Sequence, residues 1–282
     1  MDTAAPPAPR LSPMKTRILV FVPMYNCANQ VARVVGQCER ARDAGVNLAV
    51  VMIDNRSTDA TLDTACAALA KAGLDEAYVL RNDANYGLGG SHKVAIAFAR
   101  DRGFDHLIVL HGDDQGSLSD IVPFLLSGNY TATDALLGAR FQPGAQLQGY
   151  SALRTVANRI FNLVFSAVSG RRLYDLGAGL NLYRTAIFDD GFHDRYADDL
   201  TFNYYLILGL VARKASVRFF PISWREDDQV SNVKLTSQGW RMLRMLAARA
   251  INPAAFFAGE HRTVARDGYP ATLVHEQGAP GR

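Results

Sequence analysis

No stretch of this chain is apolar for long enough to span a bilayer as a helix. Even residues 204–212, apolar but for Gly209, are far below the roughly 20 residues that a spanning helix needs. No transmembrane anchor is therefore expected, and any membrane contact is peripheral. The first 14 residues, rich in Ala and Pro, lack the basic and apolar regions of a signal peptide and read as a disordered tail. Cysteine is scarce: Cys27, Cys38 and Cys66 show neither zinc nor C-x-x-C spacing. An odd count of this kind fits buried or free thiols in a reducing, cytoplasmic compartment. The net charge of +3 is mild and spread along the chain, which leaves no electrostatic footprint for nucleic acid. There is no internal repeat and no low-complexity core segment.

What is present is enough apolar material for one large domain. With 282 residues and 49% hydrophobic content, the chain suits an α/β fold over residues 15–258, followed by a polar, Gly- and Pro-containing tail over 259–282 that reads as flexible. Strands are expected at 17–23, 48–53, 77–81 and 105–111. Helices at 29–44, 59–72 and 89–102 separate them. Ser57 or Thr58 would cap the second helix and Gly73 would stop it. This alternation predicts right-handed crossovers and a mainly parallel sheet. Beyond residue 116 the pattern is less regular. Strands are expected at 135–139, 180–183 and 217–222, a loop at 142–148, and helices at 152–168, 198–211 and 238–257, the last interrupted by Pro253.

Three of the early apolar runs end abruptly in polar residues: Pro23-Met24-Tyr25-Asn26, Asp54-Asn55-Arg56-Ser57-Thr58-Asp59, and His111-Gly112-Asp113-Asp114-Gln115. In a parallel sheet, ligands bind outside the carboxyl ends of the strands, so the three ends should converge on one crevice. They would bring together a carboxylate for a base, small polar groups for a ribose, and a metal-ligating carboxylate beside a diphosphate. The loop Asn85-Tyr86-Gly87-Leu88-Gly89-Gly90 invites a dinucleotide reading. That reading fails, because the last glycine of the fingerprint falls on His92 and the loop follows the third strand, not the first. Its glycines instead let backbone approach a ligand, with the helix N-terminus favouring anionic phosphate.

With these four segments in order and at this spacing, the chain resembles the family 2 glycosyltransferases of GT-A fold. It looks most like the dolichol-phosphate mannose synthase and polyprenyl-phosphate sugar transferase branch, and the likeness continues to about Lys234. The resemblance implies a Rossmann-like, mainly parallel mixed sheet flanked by helices. Residues 15–116 would form the nucleotide-sugar-binding half and 117–258 the acceptor half, a C-terminal acceptor-side subregion. By the same resemblance Asp54 accepts the imino N–H of uracil or guanine, Asn55 stands where a second aspartate is common, and Pro23, Tyr25 and Asn26 border the nucleotide. Tyr25 could equally be core, Asp59 could simply cap a helix, and Lys93 could either assist a phosphate or be a solvated lysine.

The family's Asp-x-Asp, aligned on Gln115, places His111 at the first aspartate and Asp113 at the second, with Asp114 in the variable slot. Asp113 would anchor a Mn2+ or Mg2+ ion, Gln115 could be a second ligand, and His111 in place of a carboxylate would suit manganese better. In the acceptor half, Gly138-Ala139-Arg140 matches a Gly-Ser-Arg whose arginine holds phosphate. The segment 175–183 resembles Asp-x-x-x-Gly-Phe-Arg with Asn181 in the arginine's place. Trp224 and Ser231-Asn232-Val233-Lys234 resemble a late aromatic and Ser-Lys pattern, although Asp227 falls where an arginine is expected and Arg225 is off the matching position.

The implied activity is metal-dependent, inverting transfer of a sugar from a nucleoside-diphosphate sugar, UDP before GDP, to a polyprenyl phosphate or related acceptor. Asp198 or Asp199 would be the base for a hydroxyl or amine acceptor, or else a charge cluster at a helix start. A soluble small-molecule, glycan or peptide acceptor, and a non-catalytic nucleotide-sugar-binding module, remain alternatives. The helices at 152–168 and 240–257 are apolar on one side and have Arg154, Arg159, Arg171, Arg172, Arg241, Arg244 and Arg249 in or beside them. Such helices can lie at the inner face of a membrane or simply pack on the sheet. A homodimer is compatible with the sequence.

Overall fold

The computed structural model describes residues 16–226 and 235–278; the N-terminal 1–14 segment and the Asp227 and Ser231–Lys234 positions lie outside the described residues. Its first half is a run of buried strands and amphipathic helices: β1 Ile18–Met24, α1 Val31–Asp43, β2 Ala49–Asp54, α2 Thr61–Lys71, β3 Ala77–Asn82, α3 Gly87–Asp101 and β4 His106–Leu110. Next come α4 Val122–Ser127, β5 Ala135–Ala139, β6 Gln146–Gln148, α5 Ala152–Ser169, β7 Leu180–Arg184 and α6 Phe202–Ala212. The chain closes with β8 Val217–Pro221, β9 Ser223–Arg225, α7 Leu235–Ile251, α8 Pro253–Ala258 and β10 Ala271–Gln277.

The described residues form an eight-stranded sheet in the order β10-β3-β2-β1-β4-β7-β5-β8. The block β3-β2-β1-β4 is parallel, β7 runs antiparallel between β4 and β5, and β8 is parallel to β5. The mainly parallel mixed sheet flanked by helices is the α/β architecture expected from the strand–helix alternation. Both faces are covered, so β1 and β2 are apolar at successive positions and not merely at alternate ones. Val20, Val22, Val50 and Met52 face α1 and α2 on one side; Leu19, Phe21, Val51 and Ile53 face α3 and α6 on the other. In α1 the buried positions Val31, Val34, Val35, Cys38 and Ala41 recur at helical spacing.

Local signals differ from expectation at several element ends. Asp59, and not Ser57 or Thr58, serves the start of α2: its Oδ1 accepts from the Thr61 N–H at 3.0 Å. The same helix ends in an extended Ala72, without a left-handed glycine at 73. Residues 146–148, expected in a loop, form β6 and pair in parallel with β9. The α7–α8 break falls at Pro253, with the Asn252 side chain accepting from the Ala255 N–H.

The largest correction is at the C-terminus. The segment expected to be a flexible tail contributes β10, antiparallel to β3 from Ala271↔Asn82 to Gln277↔Ala77. Most of its side chains are exposed or half-buried, so backbone pairing holds it and not an apolar signature. It occupies the edge that β3 would otherwise present unpaired. Among the described residues, no helix is long and apolar enough to cross a membrane.

Candidate active site

The carboxyl ends of β1, β2 and β4 converge, and each carries a non-glycine residue in left-handed backbone: Asn26 at φ 50°, Arg56 at φ 66° and Asp114 at φ 58°. Such conformations cost energy and persist where surrounding contacts impose them, often at functional sites. Here the contacts are visible. The Asn26 N–H donates to Ser57 Oγ at 3.0 Å, and Asn26 Oδ1 accepts from the Thr58 N–H at 2.8 Å, which ties the end of β1 to the end of β2. Gly112 brings β4 against β1, because a β-carbon there would lie 2.7 Å from the Pro23 carbonyl oxygen.

Between these ends lies a cavity of about 330 Å3, bordered by Pro23, Tyr25, Asn55, His111 and Asp113, and also by Gly87, Leu88 and Leu200. Tyr25 is 52% exposed at its rim, which places the ring toward ligand space and not in the core. Asn55 is buried, and its amide is engaged at both ends. Nδ2 donates to Asn85 Oδ1 at 2.9 Å, while Oδ1 accepts from Asn82 Nδ2 at 2.9 Å and the Tyr86 N–H at 2.8 Å. A carboxylate could not make the first of these bonds, so the asparagine suits this loop better than an aspartate. Asn85 opens the glycine-rich segment read from sequence, whereas Asn82 carries no local signal. Their partner Asn55 is separated from them by a whole helix.

Asp54 ends β2 with no exposed surface. Its Oδ1 accepts from the Ser57 N–H at 3.1 Å, and its Oδ2 lies 3.5 Å from Arg81 Nε. Oδ2 is thus ion-paired with Arg81 but accepts no hydrogen bond among the described residues, and Asp54 does not itself border the cavity.

His111 and Asp113 both face the cavity; Gln115 does not. It borders a separate space of about 890 Å3 between α1, β6 and β9, and its backbone oxygen accepts from the Arg225 N–H at 3.0 Å. Asp114 is turned away and buried, bonded to Arg33 Nε at 2.6 Å and Gln37 Nε2 at 2.6 Å, and paired with Arg225. Burial, helped by the charge of Arg140, lowers the His111 pKa from its ordinary value near 6.5 to about 4. The ring is therefore neutral, the form that ligates metals, and its Nε2 is buried without a hydrogen-bond partner among the described residues. Among the described residues no cluster of three or more His, Cys, Asp or Glu could hold a metal. An ion here would have two protein ligands at most, with a diphosphate and water completing the shell. His111 and Asp113 fit that requirement.

The structure overturns two expectations about phosphate. Lys93 is buried and donates to Tyr196 O at 2.6 Å, Asp198 Oδ1 at 2.7 Å and Tyr269 OH at 3.1 Å, which accounts for each of its three ammonium protons. It is neither a phosphate ligand nor a solvated lysine. The N-terminus of α3 is likewise occupied: Gly87 N–H donates to Asn85 Oδ1 at 3.0 Å, and the Asp198 carbonyl accepts from Gly89 at 2.7 Å and Gly90 at 3.2 Å. Asp198 is thus a structural hub, and as a base candidate it is neutralised by Lys93. Asp199 accepts from the Thr201 N–H at 2.8 Å and pairs with Arg241 on α7. It is the more exposed of the two, and α6 starts only at Phe202 because both aspartates form the preceding turn.

Arg140 lies near His111 but does not border the cavity. It grips Asp175 with Nε at 2.7 Å and Nη2 at 2.9 Å, and lies over the Trp224 ring at 4.9 Å. Asn181, where the resemblance expects arginine, is buried and holds the Gly138 N–H at 3.2 Å.

A four-stranded parallel block continued by an antiparallel strand, with a crevice at the strand ends, is the architecture of the GT-A fold. The chain belongs to glycosyl transferase family 2, which it matches over residues 19–192. An undecaprenyl-phosphate mannosyltransferase of Micrococcus luteus is 29% identical over 168 residues, 60% of this chain and 66% of that protein, just under two thirds of its length. The glucosyl-3-phosphoglycerate synthase of Mycobacterium tuberculosis in complex with uridine diphosphate has a TM-score of 0.61 at 14% identity, over 85% of this chain and 82% of that one. The same enzyme with Mn2+, UDP-glucose and glycerol 3-phosphate has a TM-score of 0.57 at 15% identity, over 83% and 78%. S. aureus TarS 1–349 in complex with UDP-GlcNAc has a TM-score of 0.54 at 16% identity, over 84% and 67%. At these identities the solved structures speak for the fold.

Proposed function

We propose that this family 2 glycosyltransferase transfers a sugar, with inversion, from a UDP-sugar to a polyprenyl phosphate at the inner membrane face. The observation that carries the reading is the cavity at the ends of β1, β2 and β4, with the neutral His111 and Asp113 facing into it. Asp54 Oδ2 is the acceptor for the imino N–H of the base, reached when Arg81, 38% exposed in its side chain, swings outward. Tyr25 lies at the rim where a base can stack. His111 and Asp113 would hold a divalent ion, manganese suiting the imidazole better than magnesium does; such an ion, when bound, offsets charge on the leaving diphosphate. Complexes of the solved neighbours with UDP, UDP-sugars and Mn2+ support this choice of donor and ion.

A phosphate acceptor is supported by the state of the two candidate bases. Asp198 is tied to Lys93 and Tyr269, and Asp199 to Thr201 and Arg241. A carboxylate paired with a cation is a poor base, and an ionised phosphate needs none when it attacks the anomeric carbon from the face opposite the leaving group. The named function of the Micrococcus relative supports the same acceptor.

Exposed apolar surface supports delivery from a bilayer. On α5, Leu153, Val156, Ile160 and Leu163 face solvent, and on α7 so do Trp240, Leu243 and Ile251. Both helices carry arginine and no acidic residue in their sequences, the combination that favours an anionic membrane interface. Not every nearby arginine is available: Arg171 is spent on the carbonyls of Ala215 and Val217, and Arg154 on Glu226. Incubation with a panel of UDP- and GDP-sugars, polyprenyl phosphate and soluble acceptors, read by mass spectrometry, tests the reading. A glycosylated lipid phosphate supports it, and turnover on soluble acceptors alone rejects it.

A further inference from the structure

We infer that the C-terminal segment 259–278 is part of the donor-site machinery, and that Tyr269 is a positioning residue for the glycine-rich first turn of α3 that borders the donor cavity. The inference rests on the donor-site reading of that cavity and goes beyond it, because residue 269 lies far in sequence from every segment that borders the cavity.

The connection is short and continuous. Tyr269 OH donates to Asp198 Oδ1 at 2.7 Å and accepts from Lys93 Nζ at 3.1 Å. Asp198 in turn presents its carbonyl to the Gly89 and Gly90 N–H groups. The fit is tight on both sides of the turn. A β-carbon on Gly87 would collide with the Asp198 carbonyl, one on Gly89 would lie 2.7 Å from Phe202 Cβ, and one on Gly90 would lie 3.3 Å from the Tyr269 ring. Tyr86, the residue before α3, meets the Tyr269 ring edge-on at 5.3 Å, and its hydroxyl donates to Pro270 O at 3.0 Å. The segment is anchored at its other end by the β10–β3 ladder and by Glu276 with Arg102 at 3.2 Å. Gly87, Leu88 and Ser91 therefore border the cavity from the first turn of α3, whose backbone is held by Asp198, and Asp198 is held by Tyr269 and Lys93.

A hydroxyl is the smallest group that can be removed from this chain of contacts, and Tyr269→Phe keeps the ring against Gly90 and Tyr86. The full-length variant should bind UDP with Mn2+ about tenfold more weakly by calorimetry, the scale of one hydrogen bond to a charged group. Its KM for the sugar donor should rise while kcat at saturating donor stays within about twofold. Hydrogen exchange over residues 88–91 should accelerate in the same variant without any nucleotide present. Arg102→Ala is the control: it loosens the far end of β10 and should lower thermal stability while leaving both the UDP affinity and exchange at 88–91 unchanged. Wild-type exchange and affinity in Tyr269→Phe overturn the inference. So does an equal change in Arg102→Ala, which would make the effect one of general stability. Faster exchange in Tyr269→Phe in a protein that binds no nucleotide would keep the positioning contact and overturn the donor-site reading instead.

Discussion

A β-carbon on Gly179 would lie 2.8 Å from Nδ1 of His111, so the glycine is what allows the chain just before β7 to press on the imidazole. The neutrality of that ring follows from its loss of hydration and the nearby charge of Arg140. In the unfolded chain His111 takes up a proton as pH falls through its ordinary value near 6.5, whereas the folded protein keeps it neutral down to about 4. Between those values the unfolded state binds more protons, so stability rises with pH. The contribution is complete above 6.5 and is lost as pH falls toward 4. Buried His106, also lowered to about 4 by burial, acts in the same direction. Urea midpoints should fall steadily from about pH 7 to about pH 4.5, and His111→Asn should make the fall shallower. A flat profile, or one unaltered by the substitution, would contradict the burial argument.

The second prediction concerns the base. Asp54→Ala removes the Oδ2 acceptor, and one hydrogen bond to a charged group contributes roughly 1.5–3 kcal/mol. UDP affinity measured by calorimetry should weaken by about one to two orders of magnitude. Equal affinity in wild type and variant would remove Asp54 from the site.

The Lys93–Asp198 pair has side chains only 3% and 16% exposed. Lys93→Ala leaves a largely buried carboxylate without its cation, a change that typically costs about 3–5 kcal/mol. The variant should unfold at distinctly lower urea concentration. Wild-type stability together with weakened nucleotide binding would restore Lys93 as a phosphate ligand.

Much of this arrangement was legible in the sequence because burial on both faces leaves β1, β2 and β4 as apolar runs that stop where the ligand space begins. His111 and Asp113 follow such a run within three residues, and the resemblance to the family's Asp-x-Asp is what places them at its two acidic positions. Other features depend on contacts that leave no local trace. Lys93 meets Asp198 across 105 positions, so the sequence around it is equally compatible with a phosphate-assisting and a solvated lysine and carries no trace of the buried ion pair. β10 leaves no signal in the sequence because an edge strand with mostly exposed side chains has no apolar stripe. Gln115 was assigned by alignment with a motif, but the left-handed turn at Asp114 sends it toward α1 and away from the cavity.

The membrane prediction is separable from the chemistry. Leu153 and Leu163 are 79% and 69% exposed on α5, so replacing both with Asp should leave the fold intact. Wild type should co-sediment with anionic liposomes, less so at high salt. The double variant should lose that binding and its transfer to lipid, while keeping donor hydrolysis. Liposome binding that survives the double substitution would assign the exposed face another role.

The most direct test of the central claim is transfer of sugar from UDP-sugars to polyprenyl phosphate with Mn2+, in wild type and in Asp113→Asn, each with and without EDTA. Wild type should yield a glycosyl-phosphate lipid that EDTA abolishes, and the variant, with its fold unchanged, should turn over more slowly by orders of magnitude. Full activity of Asp113→Asn, or of wild type in excess EDTA, would contradict that claim.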